Sequence, residues 1–247
     1  MIADSYLTSG TQRTHRLSAV VFDVDGVLLA SPHERAWRDA LENAADRARF
    51  TTAMYQSQVA GKPRLAGALA ALLTLRLPHT DRDAEKYAER KQMRLEALIR
   101  EGAVSAFPDA LRFVKAVKHL GWRMAVASSS KNANDMMKHV QLDAVHTLLN
   151  VFEANVCGRD LKHGKPNPEI FLLAAENLPI APGCCLVVED APAGVKAACA
   201  GGMSALGVAR LGDAQSLWDA GASLVVTNLD QVSIPELALG HLRRREP

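Results

Sequence analysis

Apolar residues along this chain come in two textures. Short continuous runs that close on polar or acidic residues mark buried strands: 19–22 before Asp23, 123–127 before Ser128, and 186–188 before Glu189. Similar runs at 204–208 and 224–226, and a weaker one at 151–156, extend the series. The other texture is helical. Ala36, Trp37, Ala40, Leu41, Ala44, Ala45 and Ala48 recur at three- and four-residue intervals, which predicts one helix from His33 with a single apolar stripe. Further helices are predicted over 52–59, 64–75 and 81–100, with Pro32 in a first-turn position, Thr80 as an N-cap and Gly102 as a stop. Residues 27–31 read as a loop, and no strand-like run occurs between Ser31 and Val104.

After Phe107 and Pro108 the textures alternate, with helices over 109–120, 132–140, 168–177 and 195–200 between the later strands. Alternation of this kind predicts right-handed crossovers and a parallel sheet covered on both faces. The expected fold class is therefore α/β, a doubly wound, Rossmann-like parallel sheet core with an inserted all-helical cap domain. The expected division is a flexible tail over 1–16, a core over 17–31 and 104–247, and a cap over 32–103. Two adjacent linkers would let the cap hinge over the core, and the crevice between them is a usual ligand site.

Composition narrows the function. With 247 residues, 48% hydrophobic and 23% charged, the chain has ordinary globular material, and a net charge of +2 leaves no basic footprint for nucleic acid. No apolar run approaches the ~20 residues of a membrane span, and residues 1–16 lack the apolar stretch of a signal peptide. Cys157, Cys184, Cys185 and Cys199 show neither C-x-x-C nor zinc-finger spacing, which suits reduced thiols in a cytoplasmic protein. Residues 241–247, with Arg243, Arg244 and Arg245, read as a solvated end. No nucleic-acid or membrane partner is expected, and the chain is expected to be a monomer.

The chemistry gathers at strand ends, where open α/β sheets bind ligands. Asp23 and Asp25 leave the first strand one residue apart, and two carboxylates that close repel unless a cation or proton joins them. Ser128, Ser129, Ser130, Lys131 and Asn132 stand at a strand-to-helix junction, a site suited to phosphate or carboxylate. Lys165 lies in a loop stiffened by Pro166 and Pro168, and Glu189 and Asp190 close another strand. Acids alone would describe a cation site, and hydroxyls with lysine an anion site. Together they describe a phosphoryl site in which Mg²⁺ and lysine neutralise the oxygens.

In that order, Asp23-Val24-Asp25-Gly26-Val27, Ser128, Lys165 and Glu189-Asp190 resemble the four motifs of the haloacid dehalogenase superfamily. The helical insertion resembles that superfamily's cap. The resemblance implies that Asp23 is a nucleophile forming an aspartyl-phosphate and that Asp25 is the acid/base. It also implies Mg²⁺ held by Asp23, the Asp25 backbone carbonyl and Asp190, with Glu189 in support, and phosphoryl oxygens held by Ser128 and Lys165.

Within the superfamily the chain resembles the β-phosphoglucomutase-like subfamily. Ser128 to Asn132 is similar to its phosphate-gripping serine–lysine–asparagine run, and His33-Glu34-Arg35-Ala36-Trp37 to its H-x-R-A-W helix. Gly61-Lys62-Pro63-Arg64 is similar to its G-x-x-R turn, and Arg90-Lys91-Gln92 to its R-K-N segment. By this resemblance His33 times the acid/base, while Arg64 and Lys91 hold the distal phosphate of a small phosphorylated sugar. The loop from Asp25 to His33 is shorter than the subfamily's, Ser31 stands where threonine orients the acid, and Gln92 replaces asparagine. The expected activity is a mutase between β-glucose 1-phosphate and glucose 6-phosphate. The alternative is a sugar-phosphate or small organophosphate phosphatase on the same machinery. A signalling receiver domain is disfavoured by the insertion and the late acidic pair. A dinucleotide-binding protein is disfavoured because no G-x-G-x-x-G follows the first strand.

Overall fold

The computed structural model describes residues 16–246. Among the described residues the chain opens with β1 (Ala19–Phe22), β2 (Leu29–Ala30) and five helices: α1 (His33–Asp39), α2 (Ala44–Arg49), α3 (Thr52–Met54), α4 (Arg64–Thr74) and α5 (Asp81–Arg100). It continues through β3 (Ser105–Ala106), α6 (Pro108–His119), β4 (Arg123–Val126), α7 (Ala133–Lys138), β5 (Ala154–Asn155) and α8 (Glu169–Asn177). β6 (Cys185–Glu189), α9 (Pro192–Ala200), β7 (Ser204–Val208), α10 (Ala214–Asp219), β8 (Leu224–Val226) and α11 (Ile234–Ala238) complete it.

Six strands form one sheet in the order β5-β4-β1-β6-β7-β8, and each neighbouring pair is parallel. The four residues of β1 are all buried, as a strand covered on both faces requires. Alternate side chains divide between two cores: Val20 and Phe22 pack with Phe113 and Met137, Ala19 and Val21 with Phe171 and Val195. The order in which strands are added reverses at β1, so the ends of β4, β1 and β6 open on one crevice, where a doubly wound sheet binds ligand.

Between β2 and β3 the only regular elements are helices, and they have their own core of Trp37, Phe50, Leu72 and Tyr87. The Tyr87 hydroxyl donates to the Trp37 carbonyl at 2.8 Å, so the largest buried ring of α5 is also tied by its polar end. Thr80 and Asp83 form a capping box at the start of α5.

Several sequence expectations need correction. The single helix over 33–48 is two. Asn43 leaves the helical conformation and its side chain accepts the Ala45 N–H, restarting the helix as α2, so Ala44, Ala45 and Ala48 are exposed rather than part of a stripe. The helix over 52–59 widens after Met54 into a π-turn, Tyr55–Val59, closed by the Ala60 N–H on the Tyr55 carbonyl at 2.8 Å. The loop over 27–31 contains β2, which pairs antiparallel with β3, so the two connections to the insertion form a small ribbon. The strand over 151–156 shrinks to β5 because Leu149–Val151 is a 3₁₀ turn. The Arg243–Arg245 end is not merely solvated: Arg244 donates to the Val225 carbonyl at 2.7 Å and Arg243 pairs with Glu236. The predicted tail, Arg16 apart, lies outside the described residues.

Candidate active site

Asp23 follows β1 directly, Ser128 stands just beyond β4, and Glu189 ends β6 with Asp190 after it. Because these strands are neighbours, their ends bring the groups together. Lys165, from the loop before α8, is buried with Nζ 2.5 Å from Asp23 Oδ1 and bonded to Glu189 Oε1. Glu189 is held from the other side, its Oε2 accepting the N–H groups of Asp190 and Ala191 at 3.0 Å each. The turn after Asp25 presses on Asp190: Gly26 has φ +85°, and a Cβ there would fall 1.9 Å from Asp190 Oδ2.

These carboxylates crowd. Burial is the largest influence on Asp23 and, against the pull of Lys165, raises its pKa to about 8, with Glu189 and Asp25 adding to the rise. Burial raises Asp190 well above the usual carboxylate range, helped by Glu189 and Asp23. Burial also works against the Lys165 ammonium, but Asp23 and Glu189 outweigh it and hold its pKa above the ordinary lysine value.

Asp23, Glu189 and Asp190 each offer a ligand atom within 4.8 Å of the others. Three carboxylates sharing one ammonium, two of them pushed toward their neutral forms, are a donor set that a hard divalent cation fits.

The helical insertion supplies the other wall. A cavity of about 330 Å³ lies between the strand ends and the insertion, lined by Asp23 and Asp25 from one side and His33, Arg64 and Lys91 from the other. Asp25 Oδ2 accepts from Ser128 Oγ at 3.4 Å, and Oδ1 is buried without a hydrogen bond, 3.5 Å from His33 Nε2. Among the described residues no hydrogen bond joins Ser31 to Asp25, whose carboxylate is approached instead by Ser128 and His33. His33 Nδ1 meets Lys91 Nζ at 3.0 Å, and its Nε2 lies 3.4 Å from Ser130 Oγ. The Gly61–Arg64 turn lies against the Lys165 loop, since a Cβ on Gly164 would overlap Pro63.

A sequence profile of the haloacid dehalogenase-like hydrolases matches residues 17–202. The chain belongs to this family. It is 33% identical to the β-phosphoglucomutase of Mycobacterium bovis over 88% of this chain and 92% of that one. It is 30% identical to the fructose-1-phosphate phosphatase of Escherichia coli over 78% and 97% of the two chains. Among solved structures, the archaeal β-phosphoglucomutase of Pyrococcus superposes with a TM-score of 0.69 at 27% identity, covering 90% of this chain and 99% of that one. These likenesses place the chain in the β-phosphoglucomutase-like branch of the haloacid dehalogenase-like enzymes.

Of the predicted catalytic, phosphate-binding and metal residues, all line the cavity except Glu189, which is buried against Lys165; Ser31 does not line it either. Ser129 reaches it with no hydrogen bond among the described residues, and Asn132 accepts from Gln92 of α5 at 3.3 Å. Lys131 is paired outward with Asp160 at 2.7 Å. Sequence reasoning missed Tyr55, Lys62 and Arg159, which also line the haloacid dehalogenase-like site. Tyr55 sits at the start of the π-turn, where no apolar spacing signals it. Lys62 fills an unspecified position inside the Gly61–Arg64 turn, and Arg159 lies in a loop with no pattern of its own. Among the described residues no helix is long and apolar enough to cross a membrane.

Proposed function

We propose that this haloacid dehalogenase-like chain is a Mg²⁺-dependent sugar-phosphate mutase acting on β-glucose 1-phosphate and glucose 6-phosphate. The observation that carries the reading is the position of Arg64 and Lys91, which line the insertion's side of the cavity opposite Asp23 and Asp25. A phosphatase needs one phosphate cradle and a path for water. A mutase must also grip a second phosphate at the far end of the sugar, and a planar guanidinium suits that grip.

Asp23 attacks the phosphorus of a bound sugar phosphate. Its carboxylate oxygen gains the bond to phosphorus as the sugar oxygen's bond breaks, and Asp25 gives that oxygen its proton. In the return step a sugar hydroxyl attacks the Asp23 phosphate and passes its proton to Asp25. His33, 3.5 Å from Asp25, controls where that proton points. Ser128 and Lys165 hold the transferring oxygens. Mg²⁺, held by Asp23, Asp190 and the Asp25 carbonyl with Glu189 in support, would neutralise charge on those oxygens. The four free thiols suit a reducing compartment such as the cytoplasm.

A second reading, a sugar-phosphate phosphatase, is favoured by one contact: Lys131 is taken up by Asp160, which weakens the serine–lysine–asparagine grip. Relatives named as phosphatases of fructose 1-phosphate and of phosphorylated carbohydrates support it too. One assay separates the two. With β-glucose 1-phosphate, Mg²⁺ and bisphosphate primer, the mutase forms glucose 6-phosphate faster than free phosphate. Free phosphate as the main product, primer or not, would overturn the mutase in favour of the phosphatase.

A further inference from the structure

Arg210 lies just beyond β7, away from the cavity, and its guanidinium is spent on four neighbours. Nε donates to the Gly26 carbonyl at 3.0 Å and Nη2 to the Val27 carbonyl at 3.1 Å. Nη1 pairs with Asp109 at 3.0 Å, and the guanidinium carbon stands 3.7 Å from the centre of the Phe107 ring. Asp109 is buried and also accepts the Leu229 N–H at 2.8 Å, so the charge is anchored at both ends.

The carbonyls it reaches belong to the turn that carries Asp25. That turn is tight: the Leu28 and Leu29 N–H groups both bond the Val24 carbonyl at 2.9 Å, and the Gly26 N–H bonds the Leu29 carbonyl at 2.8 Å. Among the described residues, no other hydrogen bond reaches the Gly26 and Val27 carbonyls. Phe107, under the guanidinium, follows β3 on the return connection from the insertion and donates its N–H to the Leu28 carbonyl at 3.0 Å. One side chain therefore ties the Asp25 turn, the return connection and α6 into a single body.

We propose that Arg210, anchored by Asp109, is a positioning residue that fixes the Asp25 carboxyl for proton transfer. The proposal rests on Asp25 being the acid/base. Only a guanidinium has donors spaced to reach two successive carbonyls and a carboxylate at once, while its face stacks on an aromatic ring. A lysine could keep the charge opposite Asp109 but not the span.

The test uses p-nitrophenyl phosphate with Mg²⁺, because its leaving group departs without a proton. Phosphorylation of Asp23 then appears as a burst of p-nitrophenol, and attack by water, whose proton Asp25 must take, sets the steady rate. Asp25→Asn is the control, and Arg210→Lys and Arg210→Ala are the variants, each checked for its melting temperature and circular dichroism. Both Arg210 variants are expected to keep the burst rate within about threefold while the steady rate falls about 100-fold, the span of one acid/base contribution. Guanidinium ion added to Arg210→Ala should restore the steady rate without changing the burst. A folded Arg210→Lys with an unchanged steady rate, or burst and steady rates falling together, would overturn the proposal. An Asp25→Asn enzyme with a wild-type steady rate would instead overturn the acid/base role, whatever Arg210 does.

Discussion

Lys91 Nζ lies 3.0 Å from His33 Nδ1, which brings two bases into contact in a wall that also carries Arg64. Burial lowers the Lys91 pKa to about 7, with Arg64 adding to the fall and Asp25 opposing it. Burial lowers His33 to about 4, again opposed by Asp25 and aided by Lys91. A neutral His33 that accepts from Lys91 at Nδ1 must carry its proton on Nε2, the atom facing Asp25. The pair thus sets the tautomer as well as the charge.

Lys91 makes stability depend on alkaline pH. Its folded pKa of about 7 lies below the ordinary 10.5, so between these values the unfolded chain binds more protons and stability rises with pH. Below pH 7 the penalty for a buried ammonium is fully present. Comparing wild type with Lys91→Met by urea unfolding cancels the other titrating groups. The wild type should gain about 1 kcal/mol per pH unit on the variant from pH 7 upward. Parallel profiles would show that Lys91 stays charged.

His33 acts on the acid side by the same logic. With a folded pKa of about 4 against an ordinary 6.5, the unfolded chain binds more protons in that window, so stability is lost as pH falls through it. The expected loss is roughly 3 kcal/mol relative to a His33→Asn variant, complete only below pH 4. Chemical denaturation at a series of pH values reads it directly. A constant difference between the two proteins across pH 4–6.5 would refute it.

Without metal, the acidic cluster should show the opposite slope. Asp23, with a folded pKa of about 8, and Asp190, raised well above 3.8, leave the folded state holding more protons than the unfolded chain. Metal-free protein should therefore lose stability as pH rises from about 4 toward 8. Excess Mg²⁺ should abolish that slope and raise the melting temperature most at pH 8. Asp190→Asn should remove most of the Mg²⁺ response while leaving the metal-free protein as stable or more so. Thermal melts at pH 5 and pH 8, with and without Mg²⁺, provide the check.

Much of the core site was legible because strand ends have a local signature. An apolar run closing on Asp23, Ser128 or Glu189 needs no knowledge of the rest of the chain to place that residue at a sheet edge. Lys165 was legible only from its motif, since no spacing predicts that its ammonium would join Asp23 to Glu189. The insertion was read less well. Ala44, Ala45 and Ala48 continue the helical spacing of Ala36 and Trp37, but α1 has stopped at Asp39 and one local hydrogen bond at Asn43 starts a separate helix. Arg210 and Asp109 were invisible because they are far apart in sequence and each, alone, is an ordinary charge.

Gly194 offers the sharpest test of how tightly Glu189 is held. A Cβ built on Gly194, inside α9, would lie 1.8 Å from Glu189 Oε1 and 2.0 Å from its Cδ. On helix propensity alone Gly194→Ala should stabilise by about 1 kcal/mol. Here Glu189 cannot retreat, since Lys165 and the N–H groups of Asp190 and Ala191 hold both its oxygens. The overlap should therefore win, with a net loss of about 3 kcal/mol and a weaker Mg²⁺ response in thermal melts. Shortening the partner in the double variant Gly194→Ala, Glu189→Asp should recover part of that stability, a coupling of roughly 1 kcal/mol or more in a double-mutant cycle. A single Gly194→Ala variant as stable as wild type would mean that the Glu189 carboxylate is free to move, and that the cluster is looser than its hydrogen bonds imply.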